Sequence, residues 1–234
     1  MYEERRSRLS GAVVWSRGTA PGGSARVLPD GCMDLILLPG EALVAGPDTR
    51  AHLVADRQGA RVTGLRLPPG TGPRVFGVSA RELRDQRAPL AALWPGSAVR
   101  ELVERAGESA DPGAVMERFA AARLAEERRA ARDPYAVAVV EEIVSALRAG
   151  TGVAQTASRV GLSERQLHRR CLDAFGYGAK TLARVLRMRE ALALARHGTP
   201  LAQTAARAGY ADQAHLAREV RALAGVPMTE LIRG

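Results

Sequence analysis

The chain has 234 residues, 46% of them hydrophobic and 25% charged, with a formal net charge of +9. That length suits two domains with separate cores, and that composition suits a globular protein in water. No run approaches the ~20 apolar residues of a membrane span, and MYEERRSRLSG has no apolar core of signal-peptide type, so the expectation is a cytoplasmic, nucleoid-associated protein with no membrane partner.

The two cysteines, Cys32 and Cys171, lie far apart and offer neither a disulfide framework nor a CxxC pair, so both read as small apolar fillers. Charge is unevenly placed. From Tyr135 onward there are 14 Arg/Lys against 8 Asp/Glu, whereas the preceding residues hold 20 against 17. The excess therefore sits at the back of the chain, where it invites a polyanion.

Residues 1–24 are mixed and end Gly-rich, which predicts a loosely held arm or an irregular first strand around Val13–Trp15. Residues 12–67 read as β-rich: ARVL, CMDLILL, EALVAG and RVTGLRL are short runs separated by the turns PDG, PGE and GPD. The alternation in RVTGLRL breaks at Gly64, which suggests a bulge. Residues 79–132 read as helical. Ser79 and Glu82 are spaced as a capping box before RELRDQ. AVRELVERAG and AVMERFAAARLAEERRAAR are amphipathic, the second burying Val115, Phe119 and Ala122 with Leu124 at the edge, its charged end being solvated surface. Asp133-Pro134 supplies an N-cap followed by proline at the first helical position, so the domain boundary is placed at 132/133.

The remaining 133–234 segment is all helical. A first helix buries Val137, Val140, Val144 and Leu147 and stops at Gly150. Next comes AQTASRVG (154–161), which returns as AQTAARAG (202–209), with six of eight positions identical. Each copy leads into a second helix that is basic on one side, and a long helix from about Lys180 to His197 joins the two units. This is the layout of two helix-turn-helix motifs, at about 153–175 and 200–224. Ala157 and Ala205 permit close helix crossing, Gly161 and Gly209 allow a tight turn, and Ser163 with Gln166 caps the second helix. Leu167, Cys171 and Ala174 anchor the first reading helix; Leu216, Val220 and Leu223 anchor the second.

The opposite faces carry Glu164, Arg165, His168 and Arg169 in the first unit and Gln213, Ala214, Ala217, Arg218 and Arg221 in the second. Arg and Gln pair bidentately with guanine and adenine edges, and Ala can touch a thymine methyl. One such face is ordinary solvated helix; two at matched positions in a duplicated frame point to double-stranded DNA. A connecting helix of 18 residues spans ~27 Å, the scale needed to serve two adjacent major-groove segments. Because the copies diverge on the reading faces, two unlike half-sites are expected.

GLSERQLHRRCLDAFG and GYADQAHLAREVRALAGVP resemble the two motifs of the AraC/XylS family of bacterial transcription regulators, a likeness covering about 135–232. It implies base contacts from both reading helices at the residues named above. Cys171 and Val220 stand where that family usually has Phe, and Met228 replaces a usual proline, departures that bear on packing. PDGCMDLIL, AGPDTR, GLRLPPGTGP and GVSARELRDQRAPL resemble the front domain of one subgroup of these regulators, a reduced cupin-like β-structure followed by helices. The resulting fold class is α+β: a small antiparallel, cupin-like domain with trailing helices, then an all-α domain of two helix-turn-helix units.

The function expected is a sequence-specific regulator modulated through its front domain by a small molecule. The alternatives are a front domain used only for dimerisation or protein contact and, more remotely, an enzyme with a fused regulatory tail; besides DNA and the effector, the partners expected are RNA polymerase and a second copy in a homodimer. A cupin enzyme needs a cluster of His and Glu ligands, yet the front domain has only His52; no nucleophile elbow appears. Neither metal nor cofactor is expected. Trp15, Asp34, Arg66 and Phe76 are the candidate ligand contacts, each with a structural alternative: Asp30 and Asp34 capping turns or pairing with arginine, Trp15 belonging to the core.

Overall fold

In the computed structural model, residues 2–18, 23–55, 61–130 and 135–233 are described. The front part is built on a six-stranded antiparallel sheet in the order β1-β2-β7-β4-β5-β8, with β3 and β6 paired separately. Its strands are β1 (Tyr2–Arg6), β2 (Val13–Gly18), β3 (Ser24–Val27), β4 (Met33–Leu38), β5 (Glu41–Ala45), β6 (His52–Ala55), β7 (Arg61–Leu67) and β8 (Arg87–Pro89). Strand β4 alternates buried and half-buried residues as MDLILL requires. Its Met33, Leu35 and Leu37 join Val14, Val44, Leu65 and Leu67 on one face. Against that face pack α1 (Gly72–Phe76), α2 (Gly96–Gly107) and α3 (Pro112–Ala130), which contribute Phe76, Leu102, Val115 and Met116.

Several expectations change here. The arm at the start contains a regular edge strand, β1, paired with β2 in the register Glu4↔Trp15. YEERR shows no apolar alternation because this strand is exposed, and long-range ion pairs hold it. Gly64 marks no bulge: β7 pairs continuously with β2 and β4, and a Cβ at Gly64 would lie 2.1 Å from the Trp15 ring. The glycine makes room for the indole. Ser79 and Glu82 do not form a capping box; Ala80–Leu83 is a single 3₁₀ turn, and the Ser79 hydroxyl donates instead to Asp173 Oδ1 at 3.2 Å. In α3 the buried face is Val115, Met116 and Ala120, with Phe119 half-buried and Ala122 exposed. The expected helix start at Asp133-Pro134 lies outside the described residues.

Behind it come α4 (Ala136–Arg148), α5 (Val153–Arg159), α6 (Glu164–Phe175), α7 (Ala179–Arg196), α8 (Leu201–Arg207), α9 (Gln213–Ala224) and α10 (Met228–Leu231). In α4 the fully buried residues are Ile143, Val144, Ala146 and Leu147, while Val137 and Val140 are half-buried. Two cores form. One gathers α4, α5, α6 and the start of α7 around Leu167, Phe175 and Leu182; the other gathers the rest of α7 with α8, α9 and α10 around Met188, Leu216 and Val220. Among the described residues no helix is long and apolar enough to cross a membrane.

The anchor of β1 is Glu117, only 4% exposed, whose carboxylate takes a hydrogen bond from Arg5 Nη1 at 3.1 Å and from the Arg8 N–H at 2.9 Å. Burial alone would raise this carboxyl, but hydrogen bonds from Arg5 and the Arg8 backbone outweigh it and hold it below the usual range. A lowered folded-state pKa contributes stability at neutral pH that is lost as the pH falls below the ordinary glutamate value of ~4.3. Glu117→Gln should cost about 1–3 kcal/mol at pH 7 by urea denaturation. The gap from wild type should narrow on acidification through that range.

Candidate nucleic-acid interface

The repeated octet closes both scaffold helices in the same way. Gly161 has φ +67°, its N–H donates to Ser158 O at 3.1 Å, and the Leu162 N–H donates to Ala157 O at 2.9 Å. In the second copy Gly209 has φ +75°, with Gly209 N–H to Ala206 O at 3.2 Å and Tyr210 N–H to Ala205 O at 2.9 Å. This pair of bonds satisfies the last carbonyls of a helix through a left-handed residue that glycine adopts without a Cβ clash. The repeated threonine is likewise fixed: Thr156 Oγ1 donates to Gly152 O at 2.9 Å and Thr204 Oγ1 to Thr199 O at 3.1 Å, both side chains fully buried. Ala157 and Ala205 are buried in the crossings, as their size requires.

The starts of the reading helices differ. Ser163 forms the expected capping box: its Oγ accepts from the Gln166 N–H at 3.3 Å, and Gln166 Oε1 accepts from the Ser163 N–H at 2.9 Å. In the second unit Asp212 alone accepts from the His215 N–H at 2.6 Å, and the His215 ring stands edge-on to Tyr210. Each unit is then tied down by arginine. Arg159 pairs with Glu142 in the first. In the second, Arg184 grips Glu219 through two bonds of 2.7 and 3.2 Å, and Arg187 lies over the Tyr210 ring at 5.3 Å. Hydrogen bonds from Arg184 hold the Glu219 carboxyl below its usual range.

With Leu167, Cys171, Ala174 and Phe175 buried on α6, and Leu216, Val220, Leu223 and Ala224 on α9, the opposite faces are set. Glu164, Arg165, His168 and Arg169 on α6, and Gln213, Ala214, Ala217, Arg218 and Arg221 on α9, are all exposed. None makes a side-chain hydrogen bond or ion pair with another described residue. His168 lies against Gly178, where a Cβ would come within 2.8 Å of its Nδ1. Burial pushes the Cys171 thiol up to about 12, which leaves it an apolar filler.

Three of the four candidate ligand contacts meet in the front part. Trp15 Nε1 donates to Asp34 Oδ1 at 2.7 Å. Arg66 Nε lies 3.6 Å from Asp34 Oδ1 and 3.3 Å from Asp30 Oδ2, and its Nη1 reaches Glu4 Oε1 at 3.2 Å. Burial pushes the Asp34 carboxyl above its usual range, with Arg66 opposing it. Burial works against the Arg66 charge too, but Asp34 and Asp30 outweigh it and keep the guanidinium protonated. Asp30 also accepts from the Cys32 N–H at 2.9 Å, so it both caps its turn and pairs with arginine. Phe76 does not join this cluster: it is fully buried in the core beside Trp94. Glu4 was missed, because nothing local marks an exposed edge strand as part of a network. Burial, reinforced by Asp30 and Asp34, raises the Cys32 thiol well above its ordinary value and disfavours a reactive thiolate. Beside Trp15 opens a cleft of about 390 Å³ that also touches Arg5, Val14, Arg61 and Thr63. Among the described residues no three His, Cys, Asp or Glu are grouped to hold a metal ion.

Residues 156–234 match the family model of a helix-turn-helix domain, and residues 12–89 match a domain of unknown function, DUF6597. No curated protein matches the chain in sequence. Solved structures of ToxT from Vibrio cholerae share the fold. An apo form is 12% identical, with 97% of this chain and 99% of that one covered at a TM-score of 0.52. A form bound to an unsaturated fatty acid is 10% identical, with 97% of each chain covered at 0.50. A form bound to a methylnaphthalenyl butenoic acid is 10% identical, with 99% and 98% covered at 0.52.

Arg169→Ala and Arg218→Ala should each weaken binding to a selected operator by about 1–3 kcal/mol and relax preference at one base position. Affinity should also fall steeply with added salt. Unchanged affinity and preference in both variants would remove these residues from the base-contact set.

Proposed function

We propose that this chain, a DNA-binding transcriptional regulator with an AraC-type helix-turn-helix domain at its C-terminal end, reads two unlike half-sites on one face of the duplex and is modulated by a small molecule held in its front domain. In this reading residues 133–234 bind DNA through α6 and α9, and residues 1–132 sense. It is a regulator with no catalytic step of its own. RNA polymerase and a second copy of the chain are its further contacts, and the cytoplasmic nucleoid is where it works.

The observation that carries the DNA reading is the pair of matched, exposed and unpaired faces set on identical Gly-closed turns. The two faces are chemically unlike. Arginine and histidine dominate α6, whereas α9 offers Gln213 and two alanines before Arg218, so hydrogen-bonded base readout leans on α6 and methyl contact on α9.

Modulation rests on the Trp15–Asp34–Arg66–Asp30 network and on where it leads. Asp30 belongs to the turn whose Gly31 packs against Leu182 of α7, where a Cβ would come within 3.2 Å. A ligand that drew Arg66 or Asp34 into new bonds would therefore act on a turn seated on the helix that joins the two readers. The cleft beside Trp15, lined by Arg5, Val14, Arg61 and Thr63 and not by Asp34 or Arg66, is of ligand size. ToxT, which shares this fold, has been solved with an unsaturated fatty acid and with an aromatic carboxylic acid bound. The class tested first is accordingly a carboxylic acid with an apolar body.

A thermal-shift and tryptophan-fluorescence screen of the full chain against unsaturated fatty acids and aromatic acids tests this reading. Saturable stabilisation is expected, about 2.7 kcal/mol at a hundredfold excess over Kd, and it should be lost in Trp15→Ala. Concentration-dependent dimerisation without any saturable hit would favour a front domain used for protein contact instead.

A further inference from the structure

The segment Gly46–Ala51, GPDTRA, has no part in the hydrophobic core or in the ligand network, yet it is held by a dense set of hydrogen bonds. Gly46 donates its N–H to Gln86 O at 3.0 Å, and Pro47 O accepts from the Asp85 N–H at 3.1 Å. Asp48, only 8% exposed, is held by Arg87 through two bonds of 2.9 and 2.6 Å. Asp85 Oδ1 accepts from the Thr49 N–H at 2.7 Å and from its hydroxyl at 2.9 Å. A Cβ at Gly46 would lie 1.8 Å from Leu83 O, so glycine is required there. Asp85 is the one non-glycine residue with positive φ, 58°, among those described, a strained backbone that the surrounding bonds must maintain.

Both ends of this braced segment touch a reading helix. At one end Pro47 lies against Gly176, which closes α6 with φ +79°; a Cβ on Gly176 would come within 2.7 Å of the proline ring and 3.1 Å of Ala80 O. Ser79 and Arg81 add polar contacts to Asp173 in the last turn of α6, Arg81 at 3.6 Å. At the other end the Ala51 N–H donates to Leu223 O at 2.7 Å, and Arg26 of β3 donates to Ala224 O at 3.0 Å. These are carbonyls of the last turn of α9, unpaired within the helix, where a cation also meets the favourable end of the helix dipole. Pro47 and Ala51 are four residues apart, which limits the separation of the two contact points to ~14 Å.

From this geometry we infer that the 46–51 strap is a spacer that sets the relative position of the two reading helices, and hence the half-site separation the protein accepts. It grips the C-terminal ends of α6 and α9, leaving free the N-terminal turns that face DNA. The inference rests on DNA being read by both helices. Asp48, Asp85 and Arg87 act as positioning residues through the strap, and Arg26 positions α9 directly; none touches a base. The α7 helix sets how far apart the two units stand. A tie that does not run through α7 adds a second constraint, on how the two are turned relative to each other.

The test uses the full-length chain and an operator selected from random duplex DNA. Affinity is measured for the operator, for versions with the half-sites moved by one or two base pairs, and for a duplex carrying a single half-site. Wild type is expected to lose about tenfold or more per displaced base pair. In Arg87→Ala and in Arg26→Ala that penalty should shrink to about threefold or less, while single half-site affinity stays within about twofold; Arg87→Lys should recover part of the spacing preference. If Arg87→Ala fails to fold, Arg26→Ala carries the test, since it strips one half-buried cap from α9 and leaves the bonds of the strap itself in place. Spacing penalties unchanged in folded variants would overturn the strap alone. A selection that yields no sequence, or a single half-site, would overturn it together with two-helix reading.

Discussion

One helix has to serve two cores. Helix α7 buries Ala179, Leu182, Val185, Leu186, Met188, Ala191, Leu192 and Ala195, and these residues point to opposite sides. Leu182 and Leu186 complete the core of the first helix-turn-helix unit, while Met188, Ala191 and Leu192 complete that of the second. A helix that is apolar on more than one side is stable only when it is enclosed on more than one side. Neither unit can shift along α7 without opening a cavity in its own core, and each buried leucine or methionine lost in that way costs about 2–5 kcal/mol. The two readers are thereby fixed at opposite ends of a rod of ~27 Å.

Around that rod the two units keep the same frame and differ in everything that reports to the outside. The frame consists of short contacts that tolerate little change: the buried threonine and alanine of the octet and the left-handed glycine at its end. The bracing differs. The first unit ties itself to α4 through Arg159 and Glu142, and the second ties itself to α7 through Arg184 with Glu219 and Arg187 with Tyr210. Both leave the outer faces of α6 and α9 untouched by intramolecular pairing, which is what the proposed contacts to phosphate and base edges require. The side chains there pay no penalty of broken ion pairs on meeting DNA.

The front domain meets this apparatus at several places, among them Gly31 on Leu182, Gly70 on Val140, Pro47 and the 79–81 turn on the end of α6, and Arg26 with Ala51 on the end of α9. Charge is handled differently on the two sides of that contact. On the outer faces of α6 and α9, Arg165, Arg169, Arg218 and Arg221 are unpaired among the described residues; in the front part nearly every inward arginine is neutralised, Arg66 by Glu4, Asp30 and Asp34, Arg87 by Asp48, Arg5 by Asp111 and Glu117. The uneven charge balance along the sequence is the one-dimensional trace of that division of labour.

Read in order, the residues themselves determine the duplicated frame, the Gly-closed turns, the capping box at Ser163, the buried and exposed faces of α6 and α9 and the main strands. Each of these depends on neighbours within about five positions, so periodicity and turn chemistry report them directly. What the tertiary structure alone decides involves partners far apart in the chain. Gly64 looks like a bulge until the Trp15 ring fills the space above it. Ser79 and Glu82 have capping-box spacing, but Asp173 competes for the hydroxyl and a 3₁₀ turn results. Phe76 reads as a pocket residue until the sheet and α3 enclose it, and Glu4 enters the Arg66 network only because β1 lies at the sheet edge. The same holds for GPDTRA, whose residues announce a turn and nothing more; that its two ends meet two recognition helices follows from how the domains pack, through contacts more than a hundred residues distant in sequence that no local pattern encodes.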